Sequence, residues 1–128
     1  MNKKIFQTDR APKAIGPYSQ AIESNGFLFL SGQIPIDPAT NQLISSTSVM
    51  DQTKRVLQNI EALLKAKNLS LSHVVKTTLF LKNMSDFPGV NEIYGAFFKE
   101  NPPARSTVEV SKLPKDVLIE IEAIATLS

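Results

Sequence analysis

Cysteine and tryptophan are absent from this 128-residue sequence, and histidine occurs once. Without cysteine there is no disulfide, no thiolate nucleophile, no zinc-cysteine site and no iron-sulfur cluster. That absence also fits a reducing compartment, and the expected location is the cytoplasm. The lone His73 lies among Ser70, Ser72 and Val74 with nothing that marks a nucleophile beside it. A Ser-His-Asp triad and a catalytic zinc are therefore not expected, and no metal or cofactor is. No glycine-rich strand-turn-helix pattern is present to cradle a nucleotide phosphate. Long apolar runs are missing too, since a membrane span needs roughly 18 or more residues. The opening Met1-Asn2-Lys3-Lys4-Ile5-Phe6 starts like a signal peptide, but Gln7, Asp9 and Arg10 interrupt it before an apolar core develops. A net charge of +2, with scattered lysines, gives no basic stripe of the kind nucleic-acid binders carry, so nucleic acid is not an expected partner.

What is present reads as one domain over residues 1–128, long enough to bury a core without staples. Two apolar runs, Tyr18 to Ile22 and Phe27 to Leu30, flank the turn Ser24-Asn25-Gly26 and predict a hairpin. Ser31-Gly32-Gln33-Ile34-Pro35 breaks the second run, and residues 38–48 read as loop. Val49, Thr53, Val56, Leu57, Ile60, Leu63 and Leu64 share one face of a helix over 49–67, with Ser48 as its N-cap and Asp51 in the first turn. A β-branched strand over 74–81 follows, then a helix over 87–100 capped by Asp86. The buried face of that helix is Phe87, Val90, Ile93, Tyr94, Phe97 and Phe98, and Pro102-Pro103 stops it. Strands over 104–110 and 117–126 complete the order β-β-β-α-β-α-β-β.

Two helices cover one face of a mixed sheet. The other face carries Leu118 and Ile124 together with Glu120 and Glu122 by strand alternation. An apolar and charged face without local cover implies a homo-oligomer with polar sites in its seams.

Of three arginines, Arg10 lies in the N-terminal segment and Arg55 on the polar face of the first helix. Arg105 instead opens a strand behind Pro102-Pro103-Ala104, on one side with Thr107 and Glu109. Its planar fork suits a ligand carboxylate or a nearby glutamate, and the residues alone do not choose. Glu120 and Glu122 stand in an apolar strand, where a carboxylate is paired, functional or exposed at an edge. Asn91 borders the apolar face of the second helix, where a helix-sheet hydrogen bond would account for it. Tyr18, behind Gly16-Pro17, suits a core or a pocket wall.

Several stretches together resemble the RidA (YjgF) family of enamine/imine deaminases. They are Ala14-Ile-Gly-Pro-Tyr-Ser-Gln-Ala21, Ser31-Gly-Gln-Ile-Pro35, Val74-Val-Lys-Thr-Thr78, Asp86-Phe87 and Val90-Asn91. Tyr94 to Phe98, Pro103-Ala-Arg-Ser-Thr-Val-Glu-Val110, Leu113-Pro-Lys-Asp116 and Ile119-Glu-Ile-Glu-Ala-Ile-Ala125 extend the likeness nearly end to end. The resemblance implies an α+β, chorismate-mutase-like fold, assembled as a homotrimer with sheets inward, helices outward and clefts between subunits. It also implies that Arg105 binds a substrate carboxylate, that Glu120 positions the attacking water, and that Tyr18, Ser31, Gly32 and Asn91 line the pocket. Backbone groups near Thr107, where many members carry cysteine, would contact the ligand. The implied reaction is cofactor-free hydrolysis of 2-imino acids such as 2-iminobutyrate and 2-iminopropionate to 2-keto acids and ammonia. Two other functions stay open on the residues, an RNA-cleaving translation inhibitor and a non-catalytic sensor of small carboxylates. A chorismate mutase fits less well, because a dianionic substrate wants several cations and the strand offers one arginine.

Overall fold

The computed structural model of the chain describes residues 2–128, so Met1 of the leader-like stretch lies outside it. Lys4–Phe6 forms a short strand, β1, which the sequence reading missed because three residues carry almost no periodic signal. It pairs with β2 (Ala21–Ser24), which turns through Asn25 and Gly26 into β3 (Phe27–Gln33). Both turn residues have positive φ, +52° and +83°, the geometry of the tightest hairpin turns and the reason an Asn-Gly pair stands there.

The first strand of the predicted hairpin starts three residues late, at Ala21, since residues 16–19 form turns and bends. The predicted break at Ser31-Gly32-Gln33 is corrected as well, because β3 runs on through Gln33 by means of a bulge. Within the predicted loop over 38–48, Gln42–Leu43 (β5) pairs with Ile36–Asp37 (β4) as a two-stranded ribbon. Helix α1 (Val49–Ala66) starts where expected and ends one residue early, with Lys67 as its C-cap, and Ser48 Oγ accepts from the Asp51 amide at 3.4 Å. Strand β6 (Val74–Leu81) agrees with expectation. Helix α2 (Phe87–Phe97) ends three residues early, with Phe98 buried at its C-cap, and Asp86 makes no side-chain capping bond. Strand β7 (Ala104–Glu109) follows, and β8 (Ile119–Thr126) starts two residues later than expected.

The six long-range strands form one mixed sheet in the order β1-β2-β3-β8-β6-β7. All neighbours are antiparallel except β6 and β7, which α2 connects as a crossover. Alternation then fixes two faces. Leu28, Leu30, Leu79, Leu81, Ile119, Ile121 and Ala123 point to one side and meet Val56, Leu57, Ile60, Leu63 and Leu64 of α1 and Val90 of α2 in the core. The fold is thus a mixed α+β sheet with two helices on one face. The opposite face keeps Phe27, Phe29 and Val108 at 42%, 43% and 43% exposure. Among the described residues no helix is long and apolar enough to cross a membrane.

Candidate functional site

The expected site residues fall into two groups on opposite faces of the sheet. Arg105 pairs with Thr77, whose side chain is in the core, so Arg105 and Thr107 project on the helix side. Glu120 pairs with Phe80, which in turn pairs with Val108, so all three project on the open side. Among the described residues, the cavity that Glu120 lines does not include Arg105.

Helix α2 builds the arginine group. Phe87, Asn91 and Tyr94 stand at i, i+4 and i+7 and therefore share one stripe of the helix. Arg105 Nη1 donates to Asn91 Oδ1 at 2.7 Å. The guanidinium carbon lies 5.1 Å from the Phe87 ring centroid and 4.9 Å from that of Tyr94. Each such cation-ring contact contributes about 0.5–1 kcal/mol at an exposed site. Tyr94 is held in turn by a buried 2.7 Å hydrogen bond between its hydroxyl and Thr77 Oγ1. Burial raises the Tyr94 pKa, against the opposing effects of the Thr77 bond and the Arg105 charge, so the ring stays a neutral phenol.

The ion pairs among the described residues, Lys4–Glu23 and Lys67–Glu23, leave Arg105 without a carboxylate partner. Glu109, the candidate counter-ion on the same strand, accepts instead from the Met84 amide at 2.8 Å. The guanidinium is fixed in orientation and open to an anion. The helix-sheet bond expected as the plain explanation of Asn91 is present, and it serves the arginine.

The glutamate group is built by the bulge. Leu30 pairs with Ala123 and Gln33 with Ile121, so Ser31 and Gly32 together oppose Glu122. The kink brings the Gly32 backbone against the Glu120 side chain. A Cβ at position 32 would collide with Glu120 Oε2, approach Cδ to 2.9 Å and come within 3.2 Å of Cγ. Any side chain at position 32 would make that carboxylate swing aside. Ser31 is tied down by its amide bond to Gln20 O at 3.0 Å and by its hydroxyl, which donates to Ser19 O.

A cavity of about 610 Å³ opens beside these residues, and Tyr18, Ser31, Gly32, Glu120 and Glu122 line it. Tyr18 is reached through Gly16, whose φ of +118° a residue with a side chain rarely adopts. Its ring is half-exposed on the wall, and its hydroxyl accepts from the Ile15 amide at 3.4 Å. Burial raises the pKa of the Glu120 carboxyl above its ordinary value, and the Glu122 charge adds to the effect.

Some contributors escaped the sequence reading. Gln20, only 4% exposed, accepts from the Thr8 amide and donates to Pro12 O, both at 2.7 Å, which fixes the segment leading to Tyr18. Lys115 and Asp116 both have positive φ, +56° and +57°, in the turn that places Pro114 and Lys115 at the cavity. For a residue other than glycine that conformation costs about 1–2 kcal/mol. Phe87 and Tyr94 were assigned to the core, and Tyr94 is buried there with Phe87 packed against it; that their rings also carry Arg105 was missed, although their spacing around Asn91, opposite a strand arginine, was the available signal. His73 lies away from both groups and accepts from the Ser70 amide through Nδ1 at 3.1 Å. Among the described residues no group of three or more His, Cys, Asp or Glu side chains could hold a metal.

Comparison with known proteins places this geometry in a family. The family described as Endoribonuclease L-PSP matches residues 8–127. A RutC family protein of Pyrococcus horikoshii is 56% identical over 96% of this chain and 97% of its own. The chloroplastic Reactive Intermediate Deaminase A of Arabidopsis thaliana is 49% identical over 99% of this chain and 67% of its own. Among solved structures, E. coli TdcF with bound serine superposes with a TM-score of 0.91 at 44% identity, covering 98% of this chain and 99% of that one. The chain belongs to the YjgF/RidA family, the family of Endoribonuclease L-PSP.

Proposed function

We propose that the protein is a cytoplasmic, cofactor-free hydrolase of reactive 2-imino and enamine acids, a metabolite damage-control deaminase. Its substrates would be acids such as 2-iminobutyrate and 2-iminopropionate, its products the 2-keto acid and ammonia. The observation that carries the reading is the clamped Arg105 guanidinium, which has no carboxylate partner among the described residues. A deaminase name on the Arabidopsis relative and serine bound to TdcF, a small molecule with the same acid end, support it.

The two groups would meet between subunits of a chorismate-mutase-like homotrimer formed by single RidA-like domains over residues 1–128. The half-exposed Phe27, Phe29 and Val108 on the open sheet face supply apolar area for that association. Arg105 of one subunit would take the substrate carboxylate in two parallel hydrogen bonds, steadied by Asn91. Tyr18, Ser31 and Gly32 of its neighbour would form the wall, and main-chain groups at Thr107 would border the ligand.

The iminium carbon is already electrophilic, so the protein has to hold, orient and deliver water. Glu120 accepts a proton from water as its oxygen bonds to carbon, forming a tetrahedral carbinolamine. Glu120 then returns that proton to nitrogen, ammonia departs with the electron pair of the C–N bond, and the carboxylate takes the hydroxyl proton as the C=O bond of the keto acid forms, to be passed on to solvent. A carboxyl with raised pKa is a better base than an ordinary one while it is ionised. Fixed geometry of this kind contributes at most about 7–11 kcal/mol.

An endoribonuclease reading follows from the family's description, but the cavity weakens it. Lys13 and Lys115 at its edge stand among Glu120 and Glu122, and His73 is not among the residues that line it. Binding that fades steeply with salt would favour RNA as the ligand.

The test couples a threonine dehydratase to semicarbazide, which traps free imine. Active protein should lower semicarbazone formation and speed the release of 2-ketobutyrate. Equal rates with wild type and Arg105→Ala would remove the deaminase reading.

A further inference from the structure

Between the paired residues Phe6 and Ala21 the chain runs through residues 7–20 without a helix or strand. The pairing of β1 with β2 keeps the two ends adjacent, so the segment is a compact loop of the kind packed by its own side chains. Two residues fill it. Ala11 is buried in the core cluster, and Gln20 is almost wholly buried beneath the loop. The Gln20 side chain takes over where the strand ladder stops. Its Oε1 accepts from the Thr8 amide, and its Nε2 donates to the carbonyl oxygens of Thr8, Ala11 and Pro12. Both ends of the amide are thus spent on main-chain groups that no strand partner satisfies.

The far side of the loop is a wall of the cavity beside Glu120, lined by Pro12, Lys13, Ile15 and Tyr18. Among the described residues, this stretch has one further hydrogen bond to the rest of the chain, from the Lys13 amide to Asn41 Oδ1 at 3.1 Å. The Tyr18 bonds to Gly16 O and the Ile15 amide stay within the stretch. The glutamate side of the cavity is anchored differently. Glu120 stands on β8, and Ser31 is held by the main-chain oxygens of Ser19 and Gln20. The Gln20 amide therefore controls one wall and leaves the other alone.

We propose that Gln20 is a positioning residue for the deaminase reaction: by gripping Thr8, Ala11 and Pro12 it holds the wall that carries Ile15 and Tyr18, and so sets substrate affinity while leaving turnover alone. It acts through the loop and makes no contact of its own with substrate. The proposal rests on the deaminase reading of the cavity.

Steady-state kinetics and calorimetric binding of 2-ketobutyrate, both well below the melting temperature, test it on wild type, Gln20→Met and Gln20→Glu. Methionine keeps the length and loses every hydrogen bond of the amide. KM should rise and affinity fall roughly tenfold, with kcat within about twofold and its pH dependence unmoved. Gln20→Glu separates positioning from mere stability. An ionised carboxylate there accepts from the Thr8 amide but repels the three carbonyl oxygens, whereas the protonated form can donate to Pro12 O. The charged residues that share a cavity with Gln20 are Asp9, Glu120 and Glu122 against Lys13 and Lys115, a balance that does not favour the ionised form. The affinity of Gln20→Glu, relative to wild type at the same pH, should therefore recover as pH falls. Hydrogen exchange reads the same coupling without a substitution: saturating 2-ketobutyrate should slow exchange of the wild-type Thr8 amide several-fold. A fall in kcat at unchanged KM, or a lower melting temperature with both constants unchanged, would overturn the proposal. Thr8 exchange indifferent to ligand would overturn it even where neither variant folds. Wild type that fails to bind 2-ketobutyrate, or Arg105→Ala that binds it equally well, would instead remove the deaminase reading itself.

Discussion

The helix-side group around Arg105 and the open-side group around Glu120 solve opposite electrostatic problems. On the helix side a cation is held by neutral partners, two aromatic rings and an amide oxygen, and keeps its whole charge for a visitor. On the open side a carboxylate is wedged against a glycine with a second carboxylate nearby, and its ionised form is disfavoured. One group is poised to bind charge and the other to shed it. The contrast teaches why the proposed function needs both: under that proposal a cation without an anion and a base without a substrate become useful when two chains bring the two sheet faces together.

The largest effect that would break this comparison is loss of the cation. Arg105→Ala should lower kcat/KM at least about a thousandfold, in keeping with the several kcal/mol that fixed orientation contributes. Arg105→Lys should recover little of it, because lysine lacks the two-pronged fork. Steady-state kinetics of keto acid release would measure both.

Gly32→Ala attacks the other group. The added methyl displaces the Glu120 carboxylate, and overpacking of this kind costs about 1–3 kcal/mol. Activity should fall more than tenfold while binding of 2-ketobutyrate persists, as calorimetry would report.

Acidity sharpens the comparison further. Activity that needs ionised Glu120 should fall as pH drops through its raised pKa, and Glu122→Gln should shift that fall to lower pH. The sign for stability is the reverse. A carboxyl whose folded pKa exceeds its unfolded value contributes most in acid, and the contribution is lost as pH rises through the folded pKa. Glu120→Gln should therefore melt higher than wild type near neutrality and no higher in acid. The smallest effect belongs to Asn91→Ala, which removes one hydrogen bond from the clamp. A rise of several-fold in KM, with kcat little changed, would match the roughly 1 kcal/mol such a bond contributes.

How much of this the sequence discloses depends on the range over which each feature is set. Helix α1 was legible because its apolar stripe and the Ser48 cap are local signals. The continuation of β3 through Ser31 and Gly32 was not, because a bulge exists only relative to the partner strand β8. Phe87 and Tyr94 read as core, since nothing in α2 itself shows that an arginine 11 residues beyond Tyr94 returns to lie on their rings. Glu120 stood out as a carboxylate in an apolar strand, and Arg105 as the arginine that opens a strand. Their placement on opposite faces required the register of β6 with both neighbours. The left-handed Lys115-Asp116 turn carries no glycine or asparagine and gave no warning.

The most direct test of a shared site is complementation between two crippled chains. Differently tagged Arg105→Ala and Glu120→Gln subunits would be co-expressed and purified together through both tags. Every trimer that carries both tags has one of its three sites with both intact side chains, so the purified mixture should regain about a third of wild-type activity although each variant alone has almost none. Mixed oligomers that form normally and stay inactive would contradict an active site built from two subunits.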